Sequence, residues 1–353
     1  MDKLKQVEKW VNNSTIVDII CHTDSDGLTA AAQLVNYLKK HNVGYNIILG
    51  SPERLRHANF WRKIKNDLVF FVDIPADHEK EELIKLSNKA NIVIIDHHTI
   101  MNDMNSDSII HFHREGLGEK RYYPASKMVY DLLGGIDWMA CIGVIGDYGG
   151  KPWKEFINKT HEKFNFPKCA DENCFDSPFT KYDHLINSAR MIYGDKGCIK
   201  AVNILINSKD WDEFKEKSTV LEEWDKIIDD YINFVKSDYE YNKKYYKEAE
   251  LLIYDLISPK YKIGSALATI VSSDTPNKTV VIIIHKENVI NVNLRRQDSK
   301  YDLSHLAKQC VKGLNASGGG HREAAGASLK KKNLDEFKEC LINTLTKWVK
   351  DNS

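Results

Sequence analysis

Residues Thr15 to Gly27 read TIVDIICHTDSDG, and the rest of the chain is best read outward from them. The first seven, Thr15 to Cys21, form a β-branched apolar run with the composition of a strand. The run stops at His22, Asp24 and Asp26, and a helix-like stretch from Leu28 to Lys40 follows. A strand that delivers acids and an imidazole at its carboxyl end and then turns into a helix is a unit of a doubly wound α/β sheet. Ligands in such sheets bind beyond the carboxyl ends of the strands. Tyr45 to Leu49, Leu68 to Val72 and Asn91 to Ile95 are further short apolar runs, read as parallel strands buried on both faces. The pattern repeats along them. Asp73 follows the second of these runs, and Asp96, His97 and His98 follow the third. Gly146 and Asp147 follow the apolar run Met139 to Ile145, which reads as another strand of the same kind.

The expected fold class is therefore α/β, with a doubly wound parallel-sheet domain over residues 1–150. Residues 151–250 are Lys/Glu-rich and aromatic and read as a helical connector, in which Leu221 to Glu248 forms one long helix or two. Residues 251–353 alternate again, with strands at Leu251–Tyr254, Thr279–His285 and Val289–Leu294 and helices at Leu303–Lys312 and Leu334–Val349. They make a second, smaller α/β domain. A length of 353 residues fits two cores better than one.

Lys+Arg and Asp+Glu each number 50, so no global basic field marks the chain as a nucleic-acid binder, although a local groove can still be basic. Seven cysteines at irregular spacing read as reduced thiols of a cytoplasmic protein rather than a disulfide framework. No run approaches the roughly 20 apolar residues of a membrane span, and the charged N-terminal segment lacks the apolar core of a signal peptide.

The chemistry lies in the conjunction of the strand ends. Asp-x-Asp-Gly alone is usually turn chemistry, a lone strand-end Asp is usually a helix cap, and a His-His pair is a weak signal. Together they bring five carboxylates into one crevice, where they repel strongly without cations. Asp and His ligands without Cys suit Mn²⁺ or a similar divalent ion, with Mg²⁺ and Co²⁺ as alternatives. The donor set exceeds what one ion needs, so two ions sharing a bridging carboxylate are expected.

The order His22-Thr-Asp24-Ser-Asp26-Gly27, Asp73, Asp96-His97-His98 and Gly146-Asp147 resembles the motifs of the DHH phosphoesterases. Asn293-Leu-Arg295, Asp302-Leu-Ser and Gly318-Gly-Gly-His321-Arg-Glu-Ala-Ala-Gly326 resemble the DHH-associated C-terminal domain. The resemblance implies that Asp24, Asp26, Asp73, His97 and Asp147 ligate the metals, with Asp73 bridging and His22 near the first ion. It implies that Asp96 holds a histidine by a hydrogen bond and that His98 contacts the scissile phosphate. Arg295, Gly318, Gly319, Gly320 and His321 would bind substrate from the second domain, the two domains closing over it. The forms of the first and fourth motifs resemble archaeal RecJ-like exonucleases, which implies single-stranded DNA or RNA as substrate. Oligoribonuclease, phosphoadenosine phosphatase and cyclic-dinucleotide hydrolase are the alternatives, and a replication-associated scaffold is the non-enzymatic one. A replication or repair protein as partner and a homo-oligomer are both compatible with the resemblance; a membrane is not expected.

Other features are set aside. Cys169, Cys174 and His161 lack zinc-site spacing. His111 and His113 alternate on one strand face and are read as partly exposed rather than as ligands. Tyr231, Phe234, Tyr239, Tyr241, Tyr245 and Tyr246 are read as packing residues before stacking ones. Lys330 to Lys332 read as a solvated turn.

Overall fold

The computed structural model describes residues 3–352 and divides the chain into two compact units, residues 1–225 and 226–353. In the first unit, α1 (Lys3–Asn13) leads into β1 (Ile16–Cys21), α2 (Ser25–Lys40) and β2 (Gly44–Leu49). Two short helices follow, α3 (Pro52–Leu55) and α4 (Ala58–Trp61), and then β3 (Leu68–Val72), α5 (Lys80–Ser87), β4 (Asn91–Ile95) and β5 (Ile109–Phe112). These strands form one parallel sheet of order β2-β1-β3-β4-β5.

The apolar runs behave as period-2 strands buried on both sides. Val17, Ile19, Phe70, Val72, Val93 and Ile95 enter one core, and Ile20, Val69, Phe71, Ile92 and Ile94 enter the other. Strand order reverses at β1, between β2 and β3, and such a switch point opens a crevice at the carboxyl edge.

The helices α6 (Ala125–Leu133), α7 (Asp137–Gly146), α8 (Gly150–Lys163), α9 (Thr180–Tyr193), α10 (Asp195–Ile206) and α11 (Trp211–Lys217) complete this unit. Residues after 150 belong to its core: Trp153, Ile157, Phe179, Leu185, Trp211 and Phe214 are buried with the sheet residues. The run Met139–Ile145 is helical, not a strand. Every residue from Trp138 to Ile145 is buried, so this helix shows no polar face, and an all-apolar helix and an all-apolar strand look alike in sequence. His111 and His113 are buried, at 4% exposure each, which corrects the expectation that strand alternation leaves them partly exposed.

Helix α12 (Thr219–Asn242) runs across the boundary between the units, and the chain then enters a short strand rather than continuing as helix to Glu248. The second unit contains β6 (Lys244–Tyr246), β7 (Leu251–Ile257), α13 (Gly264–Ser273), β8 (Thr279–His285), β9 (Val289–Arg295), α14 (Leu303–Cys310), β10 (Ser317–Gly320), β11 (Ala324–Lys330) and α15 (Leu334–Asp351). Its sheet has the order β10-β11-β9-β8-β7-β6, antiparallel except for β7 with β8, which α13 connects. A core built on Leu251, Ile253, Val281, Ile283, Val292, Leu294 and Phe337 fills it. Of the aromatics expected to pack along α12 and β6, Tyr239 is buried, whereas Phe234 and Tyr241 are exposed. Lys330 to Lys332 are exposed, as expected of a solvated turn.

Cysteine usage differs from the expectation of uniformly reduced thiols. Cys169–Cys174 and Cys310–Cys340 are disulfides, with Cα separations of 5.1 and 5.5 Å, while Cys21, Cys141 and Cys198 are free and buried. A spacing of 30 residues between the second pair carries no signature in sequence; α14 and α15 bring its members together. No helix among the described residues is long and apolar enough to cross a membrane.

Candidate metal centre

The carboxyl edge of the first sheet gathers the acids and imidazoles. His22 follows the end of β1, and Asp24 then caps α2, its carboxylate accepting from Gly27 N–H at 3.1 Å. Gly27 is required here because a Cβ would lie 2.8 Å from His22 Cβ and His22 O. The same Asp24 carboxylate meets His22 Nδ1 at 2.6 Å, so capping and imidazole binding are shared by one side chain. Asp26, on the first turn of α2 and 1% exposed, accepts from Ala125 N–H at 2.7 Å and Ser126 N–H at 3.0 Å at the start of α6. These bonds fix its orientation without neutralising its charge.

Asp73 follows β3 with φ +57°, a conformation unfavourable for a side chain with a Cβ and found where the surroundings hold it in place. Its carboxylate reaches His97 Nε2 at 3.1 Å and His22 Nδ1 at 3.6 Å. β4 delivers Asp96, which accepts from His98 N–H at 3.2 Å and binds His98 Nδ1 at 2.8 Å. His97 Nε2 also lies 3.4 Å from Asp147 Oδ2. Asp147 closes α7 and accepts from the Tyr122 hydroxyl at 2.6 Å, while the Tyr122 ring meets His97 edge to face.

Three overlapping groups offer ligand atoms within 4.8 Å of one another: Asp73, Asp96, His97 and His98; His22, Asp24 and Asp73; and Asp26, His97 and Asp147. Asp73 belongs to two of them, and so does His97. Every acid and histidine singled out in the first four sequence motifs is thus brought into one cluster. Nothing in the local sequence around Tyr122 distinguishes it from the aromatics nearby.

The electrostatics call for cations. Burial, with Asp73 and Asp147 adding to it, raises the Asp26 carboxyl well above the usual range. Burial, aided by Asp73, pushes Asp147 up to about 7 against the charge of His97 and the Tyr122 hydrogen bond. Burial also works against protonation of His97, but its hydrogen bond to Asp73 and the charge of Asp147 raise it to about 10. In Asp96 burial is overcome by the charge and hydrogen bond of His98, which hold the carboxyl down to about 2. His98 is raised in return, burial opposing the charge and hydrogen bond of Asp96. His97 Nδ1 is buried with no hydrogen-bond partner. A cluster of oxygen and imidazole donors that must borrow protons to relieve its own repulsion fits divalent metal ions of the Mn²⁺ or Mg²⁺ type.

The predicted substrate residues lie in the second unit. Arg295 ends β9 and donates to Ser265 Oγ at 2.8 Å, Thr269 Oγ1 at 3.3 Å and Leu294 O at 2.8 Å. Gly318 to Gly320 lie in β10, paired with β11, whose Ala324 is in turn opposite Arg295. Two of the glycines answer to the fold itself. A Cβ at Gly318 would lie 2.8 Å from Ala307 O, and Gly320 has φ +139°. His321 is exposed and donates its backbone N–H to Ala324 O at 2.8 Å.

Comparison with known proteins agrees with this geometry. The model for the DHH family, N-terminal domain, matches residues 16–148, and that for the DHHA1 domain matches residues 252–348. An uncharacterized protein of Methanocaldococcus jannaschii is 25% identical over 195 residues, covering 49% of this chain and 44% of that protein. RecJ from Thermus thermophilus, solved in complex with Mn²⁺, superimposes with a TM-score of 0.72 at 17% identity, over 98% of this chain and 54% of that one. The DHH domain of PF0399, described as a member of the S1p family of ribosomal proteins, gives 0.73 at 15% identity, over 98% of this chain and 90% of that one. At these identities the likeness is one of fold. The chain spans about half the length of the curated relative and of the Thermus protein.

Proposed function

The chain belongs to the DHH family of phosphoesterases and carries a DHHA1 domain, and from that premise we propose that it is an exonuclease that hydrolyses single-stranded DNA or RNA from an end. The observation that carries the reading is the sharing of Asp73 and His97 among donor groups no wider than 4.8 Å, at the carboxyl edge of the sheet beside its switch point. That is the ligand arrangement of a metal-dependent hydrolase. The nucleic-acid assignment is supported by the forms of the first and fourth motifs and by the RecJ-like fold.

Asp24, Asp26, Asp73, His97 and Asp147 would hold two divalent ions, with His22 beside the first and Asp73 common to both. When bound, such ions lower the pKa of water and offset charge on phosphoryl oxygens. The chain's own groups supply the rest. Asp96 accepts from Nδ1–H of His98 and favours the protonated ring, leaving Nε2–H to donate to a non-bridging oxygen as charge develops there. Tyr122 and the Ala125 and Ser126 N–H groups hold Asp147 and Asp26 in place, so these ligands need little reorganisation. Arg295, Gly318, Gly319, Gly320 and His321 are proposed to engage the substrate's phosphates and terminal nucleotide, with single-stranded nucleic acid as the binding partner.

End-labelled single-stranded DNA and RNA from 2 to about 30 nucleotides, incubated with Mn²⁺, test this reading. Stepwise shortening of long strands from one end is expected. Activity confined to dimers through pentamers would assign the protein to short-RNA degradation instead. Absence of hydrolysis with all strands and with cyclic dinucleotides would overturn the proposal.

A further inference from the structure

We infer that Asp183, on a helix outside both family-matched segments, is a positioning residue of the hydrolytic centre: through Ser25 it pins together the turns that carry Asp24, Asp26 and Asp147. The inference rests on the reading of the cluster as a metal centre and extends it to a part of the chain with no motif of its own.

Ser25 stands between Asp24 and Asp26 at the start of α2 and is 1% exposed, so it cannot shift without moving two ligands. Its hydroxyl donates to Asp183 Oδ1 at 2.5 Å, across 158 residues of chain. The same Oδ1 accepts from Asn187 Nδ2 at 2.8 Å, one turn further along α9, so the acceptor is itself held. Gly146, the residue before Asp147, packs directly on this pair. A Cβ there would lie 2.1 Å from Ser25 Oγ and 2.4 Å from Asp183 Oδ1. One buried contact therefore joins the first turn of α2, the last turn of α7 and the first turn of α9. Cys198 of α10 adds a second tether, with Sγ donating to Thr23 O at 3.5 Å in the same ligand loop.

A carboxylate that is 9% exposed and surrounded by helices is an expensive way to fill space, since an apolar side chain would pack there without desolvation cost. Its worth lies in direction. The Ser25–Asp183 bond fixes the rotation of the α2 N-terminus about its axis, and that rotation decides where the Asp24 and Asp26 carboxylates sit relative to Asp147. Groups that orient ligands in this way commonly control metal affinity or activity by about 10–100-fold.

The test compares Ser25→Ala, Asp183→Leu, Asp183→Asn and the Ser25→Ala/Asp183→Leu double variant. The readouts are Mn²⁺ binding, followed by the electron paramagnetic resonance signal of the free ion, and kcat and KM on a single-stranded oligonucleotide. Ser25→Ala and Asp183→Leu are each expected to weaken Mn²⁺ binding by about 10–100-fold and to lower kcat with little change in KM. The double variant should be no worse than the more affected single one, because both remove the same bond. Asp183→Asn keeps an acceptor for Ser25 and should recover most of the binding. Ser25→Ala binding Mn²⁺ as the wild type does, additive losses in the double variant, or Asp183→Asn as impaired as Asp183→Leu would each overturn the inference. Should Asp183→Leu fail to fold, the Mn²⁺ titration of Ser25→Ala decides alone. A wild-type protein that binds Mn²⁺ but cleaves no phosphodiester would refute the proposed function, while the titrations would still judge Asp183.

Discussion

Replacing Asp147, a proposed ligand, should make the metal-free protein more stable. Asp147→Asn removes one negative charge from a cluster that holds too many, and the Asn carbonyl can still accept from the Tyr122 hydroxyl. Asp26 and Asp147 offer oxygens within 4.8 Å of each other, and Asp147 is one of the charges that hold the Asp26 carboxyl up. Burial first, and then the charge of Asp73, set the cost of ionising Asp147 itself: moving its carboxyl from 3.8 to about 7 costs the ionised form about 4 kcal/mol. This figure already includes the attraction to His97. The folded pKa lies above the unfolded one, so the folded protein holds an extra proton between those values. The contribution of Asp147 to the stability of the metal-free protein therefore falls as pH rises from about 3.8 to 7, and its whole cost stands above pH 7.

In EDTA at pH 8, Asp147→Asn should be more stable than wild type by about 2–4 kcal/mol, and its melting temperature higher by about 5 °C or more. The difference should shrink toward pH 4. Saturating Mn²⁺ should reverse the order, because the wild type gains binding energy that the variant loses. Thermal melts of both proteins at pH 4, 6 and 8, with EDTA or Mn²⁺, make the comparison. A variant that melts below wild type in EDTA at pH 8, or a gap that does not depend on pH, would show that the Asp147 charge is not a cost to the metal-free fold.

Three further outcomes are expected. His98→Ala should lower kcat by about 10²–10⁴-fold while Mn²⁺ binding stays near wild type, as calorimetric titration beside steady-state kinetics would show, if His98 acts on the substrate oxygen as proposed. Tyr122→Phe, which deletes the hydroxyl on Asp147, should weaken Mn²⁺ binding about tenfold or more and leave KM for the oligonucleotide unchanged. Asp18→Ala should do the opposite of Asp147→Asn and destabilise the protein by about 3 kcal/mol or more in chemical denaturation, with or without Mn²⁺. Asp18 is a buried acid in the middle of β1 that accepts from Lys65 N–H, Asn66 N–H, Asn66 Nδ2 and Asn46 Nδ2, so its loss strands several donors.

The contrast between Asp18 and Asp147 bears on what can be read in the sequence. Strands such as Leu68–Val72 and Asn91–Ile95 are legible because burial on both faces of a parallel sheet demands an unbroken apolar run. Asp73, Asp96, His97 and His98 are legible because each follows such a run closely, and a strand's end fixes where the next side chains go. Met139–Ile145 reads as a strand for the same reason. It is equally apolar, and only its packing among α2, α6 and α9 distinguishes it as a helix. His111 and His113 read as partly exposed because alternation says which residues share a face, not what covers that face. Tyr122 is invisible as a neighbour of the cluster, and so is the Asp183–Asn187 pair behind Ser25, since tertiary contact alone puts them there. The longer disulfide escapes the sequence because Cys310 and Cys340 become neighbours only once α14 and α15 pack.

If residues scattered from His22 to Asp147 hold two divalent ions in a common cleft, crystals soaked in Mn²⁺ and measured at the manganese absorption edge should show two anomalous peaks about 3.5–4 Å apart, both touching Asp73 and flanked by Asp24, Asp26, His97 and Asp147. A single peak, or peaks away from Asp73, would rule out a two-ion centre built on these residues.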